Sequence, residues 1–402
     1  MRPARPDVIV VGAGPAGAAS AILLAEHGLH VLVLERGARP RPKICGEYLS
    51  PEAGRVLDRL GVLKTVEMQG AVMLAGMRIT APDGTTLTGR YRTVGAFRPY
   101  RPHALGVSRA VLDGALVDRL RALPIDVRDD LRVTDVLVEE GAVIGVEAID
   151  RGGGARAFHA RLVVAADGRA STVAQRLGCR HPHRLARMAL VTYVSGVADC
   201  RDLGEIFIDP PDYGILNPLA PARINASLVV PLADAAAWSD RLEAFFVARV
   251  KQLPHLARRL AGARREAPVQ AMGPLAYRVS APRERGVLFI GDAAGFYDPF
   301  TGEGIYTALR GAELAAEAIV RAVRAGDAAD TAPAAYRSAR HAVFADKEWV
   351  TRALQLLIAR RRLANAAAHW LARHPAALAA LLGVIGDFVP PRALPRALRA
   401  PA

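Results

Sequence analysis

The stretch Val8-Ile9-Val10-Val11-Gly12-Ala13-Gly14-Pro15-Ala16-Gly17 places four β-branched residues directly before three glycines spaced Gly-x-Gly-x-x-Gly. A helix-forming run, Ala18 to Glu26, follows. A second apolar strand, His30-Val31-Leu32-Val33-Leu34, then ends at Glu35 and Arg36. The glycine spacing alone says little in a chain with 36 glycines, but its flanks give it meaning. Strand, glycine turn, helix and strand, with an acidic residue about 20 positions on, read as a dinucleotide-binding βαβ unit. Gly12, Gly14 and Gly17 let the backbone turn tightly and approach a pyrophosphate. The helix opened by Pro15 and Ala16 offers unpaired amides and a positive dipole end. Glu35 is placed to accept hydrogen bonds from adenosine ribose hydroxyls and disfavours a 2′-phosphate there; Arg36 beside it is counted with the same set.

A second motif, Gly291-Asp292-Ala293-Ala294-Gly295-Phe296-Tyr297-Asp298-Pro299-Phe300-Thr301-Gly302-Glu303-Gly304, decides which dinucleotide is meant. Val287-Leu288-Phe289-Ile290 before it reads as a buried strand, so Gly291 and Asp292 fall at a carboxyl end, where ligands of open α/β sheets lie. A carboxylate there suits a ribitol hydroxyl, which FAD has and NAD lacks. Past Pro299, the residues Gly302, Glu303 and Gly304 open a helix from near Ile305, whose dipole would favour negative charge at the N1/O2 edge of a reduced isoalloxazine. Between the motifs, Leu162-Val163-Val164-Ala165-Ala166-Asp167-Gly168 is another apolar strand ending at a turn, so Asp167 and Gly168 join the candidate cofactor set. Arg109, at the start of a helix through Leu112, Leu116 and Leu120, either points its guanidinium at the cofactor or is a solvated arginine.

With these residues in view, the chain resembles the flavoproteins that include the geranylgeranyl reductases and, more distantly, the aromatic-ring hydroxylases. Lys43-Ile44-Cys45-Gly46-Glu47-Tyr48-Leu49-Ser50-Pro51 looks like the cysteine-glycine segment those reductases place against the flavin, and Asp298 to Ile305 looks like their Asp-Pro-Phe-Thr-Gly-Glu-Gly-Ile phrase. The resemblance implies a flavin-facing Cys45 and Gly46. Typical hydroxylases carry a histidine and a Gly-Gln-Gly where this chain has Gly295 and Gly302-Glu303-Gly304. One stretch departs from the reductases: in Asp212-Tyr213-Gly214-Ile215-Leu216-Asn217-Pro218-Leu219, the tryptophan and phenylalanine positions of their prenyl channel are Ile215 and Asn217. The strand is expected to survive and the substrate pocket to differ. The Trp-x-Trp signature of tryptophan-type flavin halogenases is absent.

The fold class expected is α/β: a Rossmann-like FAD-binding domain interleaved with a mostly antiparallel β-sheet substrate domain, plus a helical C-terminal region. The FAD-binding domain takes residues 1–70, 105–178 and 281–326. Residues 71–104, a hairpin turning at Pro82-Asp83-Gly84, and 179–280 form the substrate domain. Residues 327–402 are helical, with a linker expected at 325–335. At 402 residues and 51% hydrophobic the chain can bury a substantial core. No hydrophobic leader precedes the first strand, so a cytoplasmic location is expected. Cys45, Cys179 and Cys200 are far apart, which gives no zinc or disulfide pattern and no expected metal.

The net charge of +14 comes without a nucleic-acid-binding module, so no nucleic-acid partner is expected. Near the C-terminus, Arg360, Arg361, Arg362, Arg373, Arg392, Arg396 and Arg399 flank Trp370, Leu371, Leu378, Leu381, Leu382, Val384 and Ile385. The uncharged run Pro375 to Gly386 is too short to span a bilayer. It either lies on an anionic membrane surface or closes over the substrate domain or a second subunit. Oligomeric state is not written in these residues.

The chemistry implied is hydride delivery from reduced FAD to a carbon–carbon double bond of a hydrophobic isoprenoid, lipid or natural product. Cys45, Glu47 and Tyr213 are the candidate catalytic residues, with Tyr213 a possible proton donor. NAD(P)H or another reductant acts as a transient donor, since no second dinucleotide fingerprint is present. The alternatives are an FAD monooxygenase acting on an aromatic or polyketide-like molecule, and a flavoprotein that passes electrons to a protein partner.

Overall fold

The computed structural model describes residues 5–37, 43–200, 202–220, 222–238 and 240–394. A parallel five-stranded sheet runs in the order Val287–Phe289, Leu162–Ala165, Val8–Val11, Val31–Leu34 and Asp126–Arg128. Its central strands are buried on both faces, as their unbroken Val/Ile/Leu character requires. On one face lies the helix Pro15–Glu26, with proline in its first turn and every residue from Ala16 to Leu24 buried. Small side chains make such depth possible. Ala18, Ala19 and Ala21 share a core with Ala308, Ala312 and Ala315 of the long helix Gly304–Ala325 packed beside it. The other face is covered by an antiparallel meander, Arg132–Glu139, Ala142–Ile149 and Ala155–His159, through Val133, Val143, Val146 and Phe158.

A second sheet of eight strands roofs the first domain. Its order is Arg264–Arg265, Arg187–Ser195, Arg223–Pro231, Asp212–Ala220, Leu203–Asp209, Gly76–Thr80 and Thr86–Arg90, with Gln270–Met272 attached to Arg187–Ser195. All pairs are antiparallel except Leu203–Asp209 with Gly76–Thr80. The hairpin expected at Pro82-Asp83-Gly84 joins the last two strands, and Gly84 takes the left-handed conformation the turn needs (φ +91°). Alternation along Asp212–Ala220 assigns the two faces. Leu216 packs with Phe245, Phe246 and Leu256 from the helices Leu242–Gln252 and Pro254–Arg259. Tyr213 and Ile215 face the other way, toward Phe300, Ile358, Leu378 and Leu382.

The linker expected at 325–335 is corrected to two residues. Gly326 ends one helix in the left-handed conformation and the next, Ala328–Ile358, begins at Ala328. Pro333 sits near its start without a donor for the carbonyl of Ala329, and Gly286 N donates to that carbonyl instead, at 2.9 Å. Two further helices follow, Arg361–Arg373 and Pro375–Ile385. The apolar run that sequence left between membrane and protein packs inward: Leu378, Leu382 and Ile385 are buried on the roof, and Leu382 lies against Gly89 of the hairpin. Arg360, Arg361, Arg362, Arg373 and Arg392 are exposed, and Trp370 stacks on His374 with ring centroids 4.2 Å apart. Arg396 and Arg399 lie outside the described residues. Among those described, no helix is long and apolar enough to cross a membrane.

Candidate functional site

The two glycine motifs meet in space. Gly12 has φ +92°, and a Cβ on Gly17 would stand 1.9 Å from the carbonyl oxygen of Gly12, so any side chain there collides with backbone. Gly291, φ +56°, has the same relation to the helix: its Cβ would meet that of Ala16 at 2.8 Å. The turn after Val287–Phe289 therefore sits directly on the first turn of Pro15–Glu26. A Cβ on Gly14 would meet nothing closer than Lys43 Nζ at 3.6 Å, so the loop is open on that side and faces a cation. At the end of Val31–Leu34, Glu35 is buried and its Oε2 accepts from Ala13 N at 2.9 Å, while Arg36 is exposed.

Asp292 is half-buried at the turn. Burial raises its pKa, and the charges of Arg109, Arg169 and Lys43 pull it back. Sequence reasoning named only the first of these three cations; Lys43 lay inside a quoted motif, and Arg169 follows Gly168. Arg109 is not a solvated helix-start arginine. It opens the helix Arg109–Arg121, is mostly buried, and is held by both oxygens of Asp113 one turn on, at 2.9 and 3.0 Å. Asp167 fastens the start of the short helix Thr172–Arg176, accepting from Thr172 N at 2.7 Å and Val173 N at 3.3 Å through Oδ2. Its Oδ1 is buried with no hydrogen-bond partner among the described residues. Gly168 follows with φ +80°. At the far end, Gly302 N donates to Pro299 O at 3.0 Å, and Glu303 stands at the start of Gly304–Ala325, paired with Lys347 at 3.5 Å.

Beside this lies the turn Cys45-Gly46-Glu47. Glu47 is buried in left-handed backbone, φ +55°. Its Oε1 accepts from Arg109 N at 2.9 Å and Tyr193 Oη at 3.2 Å, and its Oε2 from Asn225 Nδ2 at 3.0 Å. Asn225 Nδ2 also donates to Cys45 O, and Asn217 Nδ2 to Gly46 O, both at 2.8 Å. Tyr193, Asn225 and Asn217 form one row across the roof because their strands pair them directly. The asparagine at 217, where the resemblance expected an aromatic, thus clamps the turn. Burial raises the Cys45 thiol above its ordinary pKa and the Arg109 guanidinium opposes this, so the sulfur is a thiol at neutral pH. Burial likewise raises Glu47 against its three donors.

The three candidate catalytic residues are not brought together. Tyr213 lies four residues before Asn217 on its strand, about 13 Å away at the usual rise per residue. Its hydroxyl donates to Asp298 Oδ1 at 2.6 Å, an oxygen that also receives Gln355 Nε2 at 2.7 Å and Phe300 N at 2.9 Å. The phenol is fully buried, edge-on to Phe300, and burial holds its pKa well above the usual value. Gln355, Lys347 and Asn225 carried no signal in the sequence; each is a lone polar residue whose partner lies far along the chain.

A glycine cradle open at Gly14, a lysine beside it and a half-buried acid at the second turn fit a flavin dinucleotide, and a family model described as FAD binding domain matches residues 5–349. The chain belongs to that family. It is similar to "Conditioned medium factor receptor 1" of Dictyostelium discoideum, 28% identical over 80% of this chain, and spans 64% of that protein's length. It is also similar to "Digeranylgeranylglycerophospholipid reductase 1" of Methanococcoides burtonii, 30% identical over 78% of this chain and 75% of the relative. Among solved structures, the myxobacterial chondrochloren halogenase CndH aligns at 28% identity over 81% of this chain and 76% of its own, with TM-score 0.73. The flavin-dependent brominase Bmp2 aligns at 20% identity over 98% of both chains, with TM-score 0.83, so its likeness concerns the fold. This family member is an FAD-dependent oxidoreductase. Among the described residues, no group of three or more His, Cys, Asp or Glu is placed to hold a metal ion.

Proposed function

We propose that this flavoprotein is a reductase that saturates a carbon–carbon double bond of a hydrophobic isoprenoid, lipid or natural product. The observation that carries the reading is the Cys45-Gly46-Glu47 turn, the segment most like the geranylgeranyl reductases, clamped by Asn217 and Asn225 between the nucleotide loops and the apolar roof. The 30% identity to a digeranylgeranylglycerophospholipid reductase supports it. Bound FAD supplies the two-electron chemistry, refilled by NAD(P)H or another donor. In this reading Gly12, Gly14, Pro15, Ala16 and Gly17 carry the pyrophosphate with Lys43 and Arg109. Glu35 holds the ribose and Arg36 lies at its edge. Asp292 takes a ribitol hydroxyl, Asp167, Gly168 and Gly291 shape the cradle, and Pro299, Gly302, Glu303 and Gly304 hold the pyrimidine edge. Val191, Ile206 and Ile215, buried on the same face of the roof as Asn217, keep water from the Cys45 turn.

The test is anaerobic. Protein reduced in the absence of oxygen and mixed with isoprenoid alkenes is expected to recover oxidised flavin absorbance as the alkene is consumed. Reoxidation only with oxygen, accompanied by a hydroxylated or halogenated product, sinks the reductase reading. A monooxygenase or halogenase is the second reading, favoured by the 28% identity to a flavin-dependent halogenase.

We also propose peripheral contact with an anionic membrane, through the outward face of the C-terminal helices. Trp349 and Leu356 are each 70% exposed two turns apart on one helix, with the exposed Arg352 between them in sequence and the exposed Arg360 and Arg362 just beyond its end. Trp349→Ser/Leu356→Ser is expected to reduce sedimentation with phosphatidylglycerol vesicles at low salt while leaving the fold intact. Equal sedimentation of variant and parent removes the idea.

A further inference from the structure

At the opposite end of the roof from Asn217, four side chains make a polar cluster inside an otherwise apolar layer. Arg187, Tyr213, Asp298 and Gln355 are each more than nine-tenths buried. The Arg187 guanidinium lies over the Tyr213 ring, 5.6 Å from its centroid, and its charge acts on Asp298. Three buried atoms here have no hydrogen-bond partner among the described residues: Arg187 Nη1, Asp298 Oδ2 and Gln355 Oε1. The Gln355 amide is oriented by its bond to Asp298: only its NH2 can donate to the carboxylate, so Oε1 faces away from Asp298. A buried polar atom left unmet is costly, and three gathered around one carboxylate mark a position built for a guest.

The hydrogen-bonding pattern states what the guest is. The unmet atoms are one cationic donor and two acceptors, one of them a carboxylate oxygen. A carboxylate or phosphate guest would be repelled by Asp298, and an ammonium by Arg187. A neutral hydroxyl meets both demands, since its oxygen accepts from Arg187 while its hydrogen is donated to Asp298 or Gln355. Between this cluster and the Asn217 row lie the buried apolar side chains Ala189, Val191, Ile206, Ile215 and Val229 on the same face of the roof.

We infer that Arg187, Asp298 and Gln355 form a recognition site for a hydroxyl group at one end of the hydrophobic substrate, and so select an alcohol or phenol over the corresponding hydrocarbon. The inference rests on the proposed function only for the hydrophobic character of the substrate. Its test reads binding, so it stands or falls independently of which reaction follows.

Matched pairs, a C20 isoprenoid alcohol with its deoxygenated hydrocarbon and an alkylphenol with the alkylbenzene, are titrated into the oxidised FAD-loaded protein, and flavin absorbance or calorimetry reports affinity. The parent protein is expected to prefer the hydroxylated member of at least one pair by about 10- to 100-fold, the range of a site that leaves buried polar groups unpaired when the hydroxyl is missing. Arg187→Met and Gln355→Leu are each expected to erase that preference, with hydrocarbon affinity and flavin content unchanged. Gln355→Leu, on a helix outside the sheet, keeps the test valid where Arg187→Met fails to fold. Equal affinity within every pair, absence of binding by all four compounds, or an undiminished preference in a folded variant each overturns the assignment and leaves ordered water as the cluster's partner.

Discussion

The cofactor loops and the roof above them are built on different principles. In the loops, specificity is steric: a side chain at Gly17 would meet the Gly12 carbonyl five residues back, and one at Gly12, already at φ +92°, would meet the Ala166 carbonyl. In the roof, it is polar and distant: Cys45, Gly46 and Glu47 are held by asparagines more than 170 positions away. Local sterics tolerate almost no substitution and are visible in a motif. A distant polar clamp can lose one member, degrade by degrees, and leaves no motif behind.

The sharpest break in this comparison is Gly17→Val. Its Cβ would fall 1.9 Å from a carbonyl oxygen, and overpacking against backbone costs about 1–3 kcal/mol or more. The purified variant is expected to carry less than about a tenth of the parent's flavin, read from the ratio of visible to ultraviolet absorbance. Normal flavin content would show that the loop moves, and local sterics would not explain the motif.

Next in size is the junction between the regions. Lys347, buried on the helix Ala328–Ile358, pairs with Asp387 beyond the last long helix and with Glu303 at the cofactor helix. Lys347→Met leaves a buried carboxylate without its cation, a loss of about 3–5 kcal/mol in urea denaturation. Lys347→Met/Asp387→Asn is expected to recover most of it, because Asn keeps the left-handed backbone at 387 and removes the orphan charge. Failure of the double variant to recover would mean that Glu303, and so the cofactor loop, is the partner that matters.

How much of this was legible in the sequence follows from the same contrast. The strands Val8–Val11, Leu162–Ala165 and Val287–Phe289 announced themselves as unbroken apolar runs, and each turn that follows them fell where the glycines and acids had placed it. The Cys45 segment was visible only through resemblance. The row Tyr193, Asn225 and Asn217 depends on the register of three separately formed strands, and no spacing in the chain encodes it. The apolar run Pro375 to Gly386 was ambiguous for a similar reason: a hydrophobic helix looks the same in sequence whether lipid or a β-sheet covers it, and Leu382 against Gly89 is a tertiary fact.

Within the roof, Asn225→Leu is expected to cost about 1–3 kcal/mol, since it strips donors from Cys45 O and Glu47 Oε2 together. If the turn positions substrate against the cofactor, KM and kcat shift while flavin content stays at the parent level. A fall in flavin content instead would place the turn in the cofactor site proper, and the contrast between the regions would narrow.

The smallest effect decides what Cys45 does. Burial raises its pKa above that of a free thiol, near 8.5, although Arg109 lies beside it. A group with a raised folded pKa contributes stability that is whole below the unfolded value and lost as pH climbs through the folded one. The parent is therefore expected to lose more urea stability above about pH 9 than Cys45→Ser does. In a Cys179→Ser/Cys200→Ser background, iodoacetamide should modify Cys45 slowly at pH 7, with a rate that rises only in alkaline solution. Rapid alkylation at neutral pH would reverse the conclusion: Arg109 would then outweigh burial, the sulfur would be an anion beside the cofactor loops, and Cys45 would move from a clamped turn to a reacting group.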